Sequence, residues 1–339
     1  MDRLSAPLSI GIIVNSVCDL DCKYCYAQPF LLVQMQTANA LNIMRQAKDL
    51  GVFKVTIEGG EPFLHKDLFK ILDYTLSLGF ESDLVSNGTQ ITENIAKKLK
   101  KLSDKYDGWT GVQISLDSVN PEINNRTRGR GEKVKENLER LLRLNVPTSL
   151  GTVVTHSNAA ELEGIVDKYY PAVKNFHFIR VMPTWKSLPN FNKLALTKDD
   201  YSLLDIAYEK FDRMMRNDPN LEITLLKDKN DFPNSPEKSN FPCTGGHTQL
   251  IIRPDLLVAT CDLSLNITVG NLKEQSLKAI WDGIALKILN EYDVRPCVLS
   301  LGTNRQYSIL PNHIEELYSL KREGKRKEVE ATKSIVVRR

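Results

Sequence analysis

Between residues 8 and 182, short apolar runs alternate with stretches whose apolar residues recur every three or four positions. The runs Leu8–Asn15, Lys54–Glu58, Ser82–Val85, Val112–Leu116, Ser149–Thr155 and Phe176–Val181 have the length and the Val, Ile and Phe content of strands. Helical periodicity falls between them, near 38–50, 67–78, 92–106, 131–144 and 159–170. Gly51, Gly79 and Asn145 stand just past three of these segments, where helix C-caps are expected. Repeated strand–helix units joined by right-handed crossovers predict a parallel sheet. Six such units are too few for a closed eight-stranded barrel. The pattern therefore predicts an α/β fold, a partial (β/α)6 barrel of the TIM type, with its chemistry at the C-terminal ends of the strands.

The pattern changes after residue 183. Thr197-Lys198-Asp199-Asp200 reads as a capping-box variant opening a helix that runs to about Arg216. The polar stretch Asp228–Pro242, with Pro233, Pro236 and Pro242, reads as a linker. Residues 243–297 then form a small second module, and the tail beyond is rich in Lys, Arg and Glu, as a solvated helix would be. The expected divisions are 8–183 for the barrel, 184–242 for a helical segment and linker, 243–297 for the module and 298–339 for the charged tail. No internal repeat is evident.

Composition narrows the function classes. The chain of 339 residues is 42% hydrophobic and 26% charged, ordinary for a globular protein. A net charge of +3 is too mild to predict binding to nucleic acid or to an anionic membrane. No stretch approaches the roughly 18 apolar residues of a membrane span, and Met1–Pro7 carries no signal-peptide pattern. Six cysteines without an export signal predict a reducing, cytoplasmic location. The five histidines show no H-x3-H pattern, so no zinc-hydrolase site is expected.

Three of the cysteines are crowded into Cys18-Asp19-Leu20-Asp21-Cys22-Lys23-Tyr24-Cys25. This C-x3-C-x2-C spacing can supply three thiolates to a [4Fe–4S] cluster, leaving one iron open to bind and reduce a ligand. A zinc site would more often pair C-x2-4-C with a second, distant pair. A disulfide framework is unexpected in so long a chain with so few cysteines. Every other polar motif falls at the end of an expected strand. Glu58-Gly59-Gly60-Glu61-Pro62 follows the second, Ser86-Asn87-Gly88-Thr89 the third, Ser115-Leu116-Asp117-Ser118 the fourth, and Arg180-Val181-Met182-Pro183 the sixth. Taken singly, Gly-Gly and Asn-Gly are common turns, and Asp117 reads first as a structural carboxylate at a strand end.

Together these motifs resemble the radical S-adenosylmethionine (radical SAM) superfamily. The resemblance implies that Cys18, Cys22 and Cys25 hold a [4Fe–4S] cluster whose open iron chelates the methionyl end of SAM. One electron then cleaves a C–S bond, and the resulting 5′-deoxyadenosyl radical abstracts hydrogen from a substrate. It also implies that Gly59, Gly60 and Glu61 contact the methionyl amino group, and that Ser86 or Asn87 lies near the ribose or carboxylate. Ser115 would touch the ribose, and Arg128, with Arg126 and Arg130 as competing candidates, would pair with the SAM carboxylate. Tyr24 would stack or hydrogen-bond at the adenine, whose pocket Val181 would line.

Residues 243–297 resemble the C-terminal twitch extension, a shortened SPASM module, of the same superfamily. The resemblance implies a β-hairpin and helix carrying a second [4Fe–4S] cluster, with Cys243, Cys261 and Cys297 as candidate ligands. Leu256 stands where the hairpin usually has glycine, and no closing C-x2-C is present, since residue 300 is Ser. The module could therefore hold a cluster with an open iron, completed by substrate, water or a residue such as His247; alternatively these are ordinary buried thiols. Members of this kind modify ribosomally made peptides, and that is the expected substrate. An enzyme of cofactor or small-metabolite synthesis is the alternative, and a non-catalytic metal-binding protein a further one. The short stretch ahead of Cys18 leaves no room for a fused leader-binding domain, so a peptide would need a separate recognition partner or bind the barrel directly. An electron donor such as a flavodoxin or ferredoxin is the remaining expected partner.

Overall fold

The computed structural model describes residues 4–27, 33–182, 184, 186–225, 245–265, 268–283 and 286. In chain order the elements are β1 (Ser9–Ile13), α1 (Thr37–Leu50), β2 (Lys54–Glu58), α2 (Leu68–Ser77), β3 (Glu81–Ser86), α3 (Glu93–Lys105), β4 (Trp109–Ser115), α4 (Pro121–Thr127), α5 (Gly131–Arg143), β5 (Thr148–Val154), α6 (Leu162–Tyr169), β6 (Asn175–Arg180), α7 (Phe191–Leu194), α8 (Lys198–Asn217), β7 (Glu222–Leu225), β8 (Gln249–Ile252), β9 (Leu257–Ala259), β10 (Thr268–Asn271) and α9 (Leu277–Trp281). All six expected strands form. Gly51, Gly79 and Asn145 take left-handed φ values of 82°, 78° and 50° just past their helices.

One ten-stranded sheet runs β10-β9-β8-β1-β2-β3-β4-β5-β6-β7. Strands β1 to β7 pair in parallel in sequence order, as consecutive βα units dictate. This is the arrangement of a partial barrel. Side chains alternate across it. Ile10 and Ile12, Val55 and Ile57, Val112 and Ile114, and Phe176 and Phe178 join the large core shared with the helices. The intervening positions are more polar. Lys54 pairs with Asp83 at 3.0 Å, and Gln113 lies against Gly151, where an added Cβ would come within 2.7 Å of its amide nitrogen. The apolar shell fixes the strands, and the other face is left for chemistry.

Helices α4 and α7 and strands β7 and β10 lie outside the sequence expectation. Helix α4 is seven residues long, with Asn120 capping Glu122 and Pro121 at its first position. It is too short to show a periodicity of its own. Strand β7, Glu-Ile-Thr-Leu, extends the barrel beyond β6. It falls inside the stretch read as helix and linker, where four residues give too little alternation to stand out.

The C-terminal module is built into the same sheet. β8 pairs in parallel with β1 on the side opposite β2, with Ile10 beside Leu250 and Ile12 beside Ile252. β9 and β10 then fold back antiparallel, and α9 seats fully buried Trp281 against the barrel, its indole N–H donating to the Leu4 carbonyl at 2.9 Å. The β8–β9 turn places Leu256 at φ 73°, in the left-handed region that suits glycine. Its side chain is nevertheless buried in the main core. No helix among the described residues is long and apolar enough to cross a membrane. The linker from residue 226, Cys243, Cys297 and the tail lie outside the described residues.

Candidate active site

The site forms on the loop after β1, at the C-terminal ends of the strands. Two contacts carry the β1–β2 pairing past the strands: Gly60 N–H donates to the Asn15 carbonyl at 2.8 Å, and Glu61 N–H to the Val17 carbonyl at 2.8 Å. A Cβ on Gly60 would stand 2.4 Å from the Val17 carbonyl oxygen. The glycine is needed here for close approach. It lets the turn after β2 press against the segment that leads into Cys18.

Glu61 is fully buried behind this turn. Its carboxylate accepts from the Phe63 N–H at 3.1 Å, the Ser86 hydroxyl at 2.8 Å and the Asn87 N–H at 2.8 Å. Its carbonyl accepts from Asn15 at 3.0 Å. Burial pushes its pKa up to about 7, even though these donors favour the anion. Glu61 thus clamps the ends of β1, β2 and β3 together. Buried Ser86 is spent on the same clamp. Asn87 faces the cysteines instead, its side-chain amide donating to Cys18 Sγ at 3.6 Å and to Asp19 at 2.9 Å.

Asp19, inside the cysteine motif, is a hub that sequence reasoning missed. Its carboxylate accepts from Asn87, Thr89 at 2.7 Å and Gln90 at 2.8 Å, and pairs with Arg130 at 2.9 Å. Partial burial works against its charge, but the bonds from Thr89, Asn87 and Gln90 outweigh it and hold its pKa below the ordinary value. Only the folded arrangement reveals it, because its partners lie about 70 and 110 residues away. The loop is also tied down where the Lys23 N–H donates to the Thr127 carbonyl at 2.9 Å and where Asp21 pairs with Lys186.

A second hub is Asp117, which is wholly buried at the end of β4. One carboxylate oxygen accepts from the Tyr24 hydroxyl and from Thr127 at 2.6 Å. The other accepts from Arg128 Nε at 3.0 Å and the Val153 N–H at 3.2 Å. Burial opposes the charge of Arg128, yet Asp117 more than offsets it and raises the pKa. The guanidinium sits over the Tyr24 ring, 5.3 Å from its centroid. Its two terminal nitrogens have no hydrogen-bond partner among the described residues, so the fork remains open to a carboxylate. Of the three arginines that the sequence left in competition, Arg130 is committed to Asp19 and Arg126 is exposed in the last turn of α4. Tyr24 packs with Val181 and Leu194, and Ser115 stands half-buried at the end of β4.

Cys18 is exposed at the surface, and Cys22 and Cys25 are half-buried. Desolvation by the surrounding loop nevertheless pushes Cys18 up to about 11 and raises Cys22 and Cys25 as well, with Arg128 and Lys186 partly countering it at Cys22. Such thiols keep their protons until a metal cation displaces them. Three thiols on one loop, with the Leu20 N–H at 3.4 Å and the Asn87 amide both directed at Cys18 Sγ, fit a cluster held by three thiolates. Cys261 is half-buried just past β9 in the C-terminal module.

Residues 12–169 match the radical SAM superfamily, and residues 243–298 match SPASM, an iron–sulfur cluster-binding domain. The chain belongs to the radical SAM superfamily, is an enzyme of that class, and carries a SPASM-type extension; these matches imply a [4Fe–4S] cluster, SAM and further iron–sulfur ligation. It is 25% identical over 287 residues to the mycofactocin maturase MftC of Mycolicibacterium smegmatis, covering 82% of this chain and 71% of that protein. It is 23% identical over 295 residues to the PqqA peptide cyclase of Xanthomonas campestris pv. campestris, covering 83% and 75%. Among solved structures, Streptococcus suis SuiB bound to S-adenosylmethionine shares the fold with a TM-score of 0.72 at 21% identity, over 86% of this chain and 69% of that one. SuiB bound to the precursor peptide SuiA gives 0.68 at 21% identity, over 84% and 66%.

Proposed function

We propose that this enzyme modifies a ribosomally made peptide. The observation that carries the reading is similarity along more than four fifths of the chain to a maturase and to a peptide cyclase, joined to the likeness in fold to a protein crystallised with its precursor peptide. When bound, the cluster supplies an electron to SAM, and SAM supplies a radical that removes hydrogen from the substrate. Cys18, Cys22 and Cys25 hold the cluster. Arg128 offers its free guanidinium nitrogens to the SAM carboxylate, with Asp117 fixing its position and charge. Tyr24, Val181 and Leu194 form the apolar wall beside it. Asn87 donates toward Cys18 and orients the loop, while Glu61, Gly59, Gly60 and Ser86 hold the strand ends beneath. Ser115, half-buried at the end of β4, contacts the ribose. Cys261, with Cys243 and Cys297, supplies thiolates to an auxiliary cluster, and a flavodoxin or ferredoxin delivers the electron.

The test is anaerobic reconstitution followed by reaction with dithionite, SAM and candidate precursor peptides. The expected result is 5′-deoxyadenosine together with a mass change in the peptide. Tight saturation by a small metabolite, with no peptide altered, would instead support an enzyme of cofactor synthesis.

A further inference from the structure

Glu58 closes β2 one residue before the Gly-Gly turn and is 5% exposed. Its carboxyl is accommodated by an omission in the neighbouring strand. A Cβ on Gly11 of β1 would stand 2.8 Å from Glu58 Oε1 and 2.6 Å from the Ile251 side chain. On one side Glu58 accepts the Tyr26 hydroxyl. On the other the Asp262 carboxyl lies within hydrogen-bonding reach. Ile13, Ile251, Ala259 and Leu265 form an apolar cluster against which the Tyr26 ring packs. Asp262 Oδ1 is buried with no hydrogen-bond partner among the described residues.

The placement of the two partners gives this contact its meaning. Tyr26 directly follows Cys25, and Asp262 directly follows Cys261. The chain Tyr26–Glu58–Asp262 therefore spans from the cysteine loop to the C-terminal module, across residues 236 positions apart (262 − 26). We propose that Glu58 is a positioning residue that holds these two cysteine-bearing segments in one fixed relation, through Tyr26 on one side and Asp262 on the other. The proposal rests on the radical SAM reading. It assigns a task to the carboxylate just ahead of the Gly-Gly turn, where the strand end needs none for pairing. It also explains why β1 carries glycine at residue 11.

The test uses the full chain, reconstituted anaerobically with iron and sulfide and carrying Cys261→Ala throughout, so that loss of an auxiliary cluster cannot produce the effect. The electron paramagnetic resonance spectrum of the reduced protein is recorded with and without SAM, and iron release to a chelator is timed. Asp262→Ala lies in the module, outside the cysteine loop. It is expected to change the spectrum and to speed iron release about ten-fold, as loss of an outer contact to a metal site does. Tyr26→Phe is expected to do the same, and the double variant to be no worse than either alone, because both cut one chain of contacts. Glu58→Gln can accept from Tyr26 and donate to Asp262, and is expected to keep the parental spectrum and iron-release rate.

An Asp262→Ala protein that melts cooperatively and keeps the parental spectrum and iron-release rate would overturn the proposal, and so would simple addition of the two effects. This cycle does not require Glu58→Ala to fold. A parent that takes up no iron overturns the radical SAM reading itself, and this proposal with it.

Discussion

At the scale of single residues, the site depends on two buried carboxylates with different duties. Asp117 accepts four hydrogen bonds and carries the pairing charge for Arg128. Asp117→Asn would turn an amide N–H toward donors and leave the guanidinium without its partner. It is expected to destabilise the protein by about 3–5 kcal/mol and to weaken SAM binding; urea unfolding and a SAM titration measure the two effects. Glu61 works in the opposite electrostatic sense. Its folded pKa is raised to about 7, above the ordinary carboxylate value of 4.5. The folded state therefore binds its proton more tightly than the unfolded chain does, so this contribution to stability is present at low pH and is lost as pH rises from about 4.5 through 7. Glu61→Gln should flatten that part of the stability-versus-pH curve relative to wild type. The cysteines, the Gly-Gly-Glu turn and the strand-end motifs were legible in the sequence because each is a local run. Asp19 and Glu58 were not, since their partners are distant. The internal burial of Glu61 and Ser86 also depends on how three strand ends meet.

Among the elements, the legible ones were those with enough residues to repeat their period. Helices α1, α3, α5 and α8 show it, and α8 opens with the expected capping box of Thr197 and Asp200. Thr197→Ala should cost about 1 kcal/mol in unfolding experiments. The β8–β9 turn sets two preferences against each other at Leu256. The left-handed backbone costs an L-residue roughly 1–2 kcal/mol, while emptying a buried leucine site costs roughly 2–5 kcal/mol. Burial outweighs strain, so Leu256→Gly should lower the melting temperature despite relieving the backbone. A rise in melting temperature would mean that strain dominates. The sequence showed that a glycine position was occupied by leucine. It did not show that the leucine reaches the core, because that depends on β8 lying against β1.

For the molecule as a whole, barrel and module are one sheet. β1 has β2 on one side and β8 on the other, and the second contact is sealed by Trp281 against Leu4 and by Gln46 accepting from the Leu277 N–H at 2.8 Å. A chain ended after residue 225 would leave one edge of β1 unpaired and its apolar neighbours uncovered. Such edges aggregate, so this truncated protein should elute as oligomers on gel filtration, whereas a soluble monomer with cooperative unfolding would count against the packing described. The same join has a consequence for biosynthesis. A ribosome delivers β1 and the cysteine loop early, but β8 emerges only after about 250 residues have been made. Until then one edge of β1 and the face of Tyr26 that packs on Ile251, Ala259 and Leu265 lie open to solvent. Closure of the sheet by β8 then marks the moment after which the site is enclosed on that side.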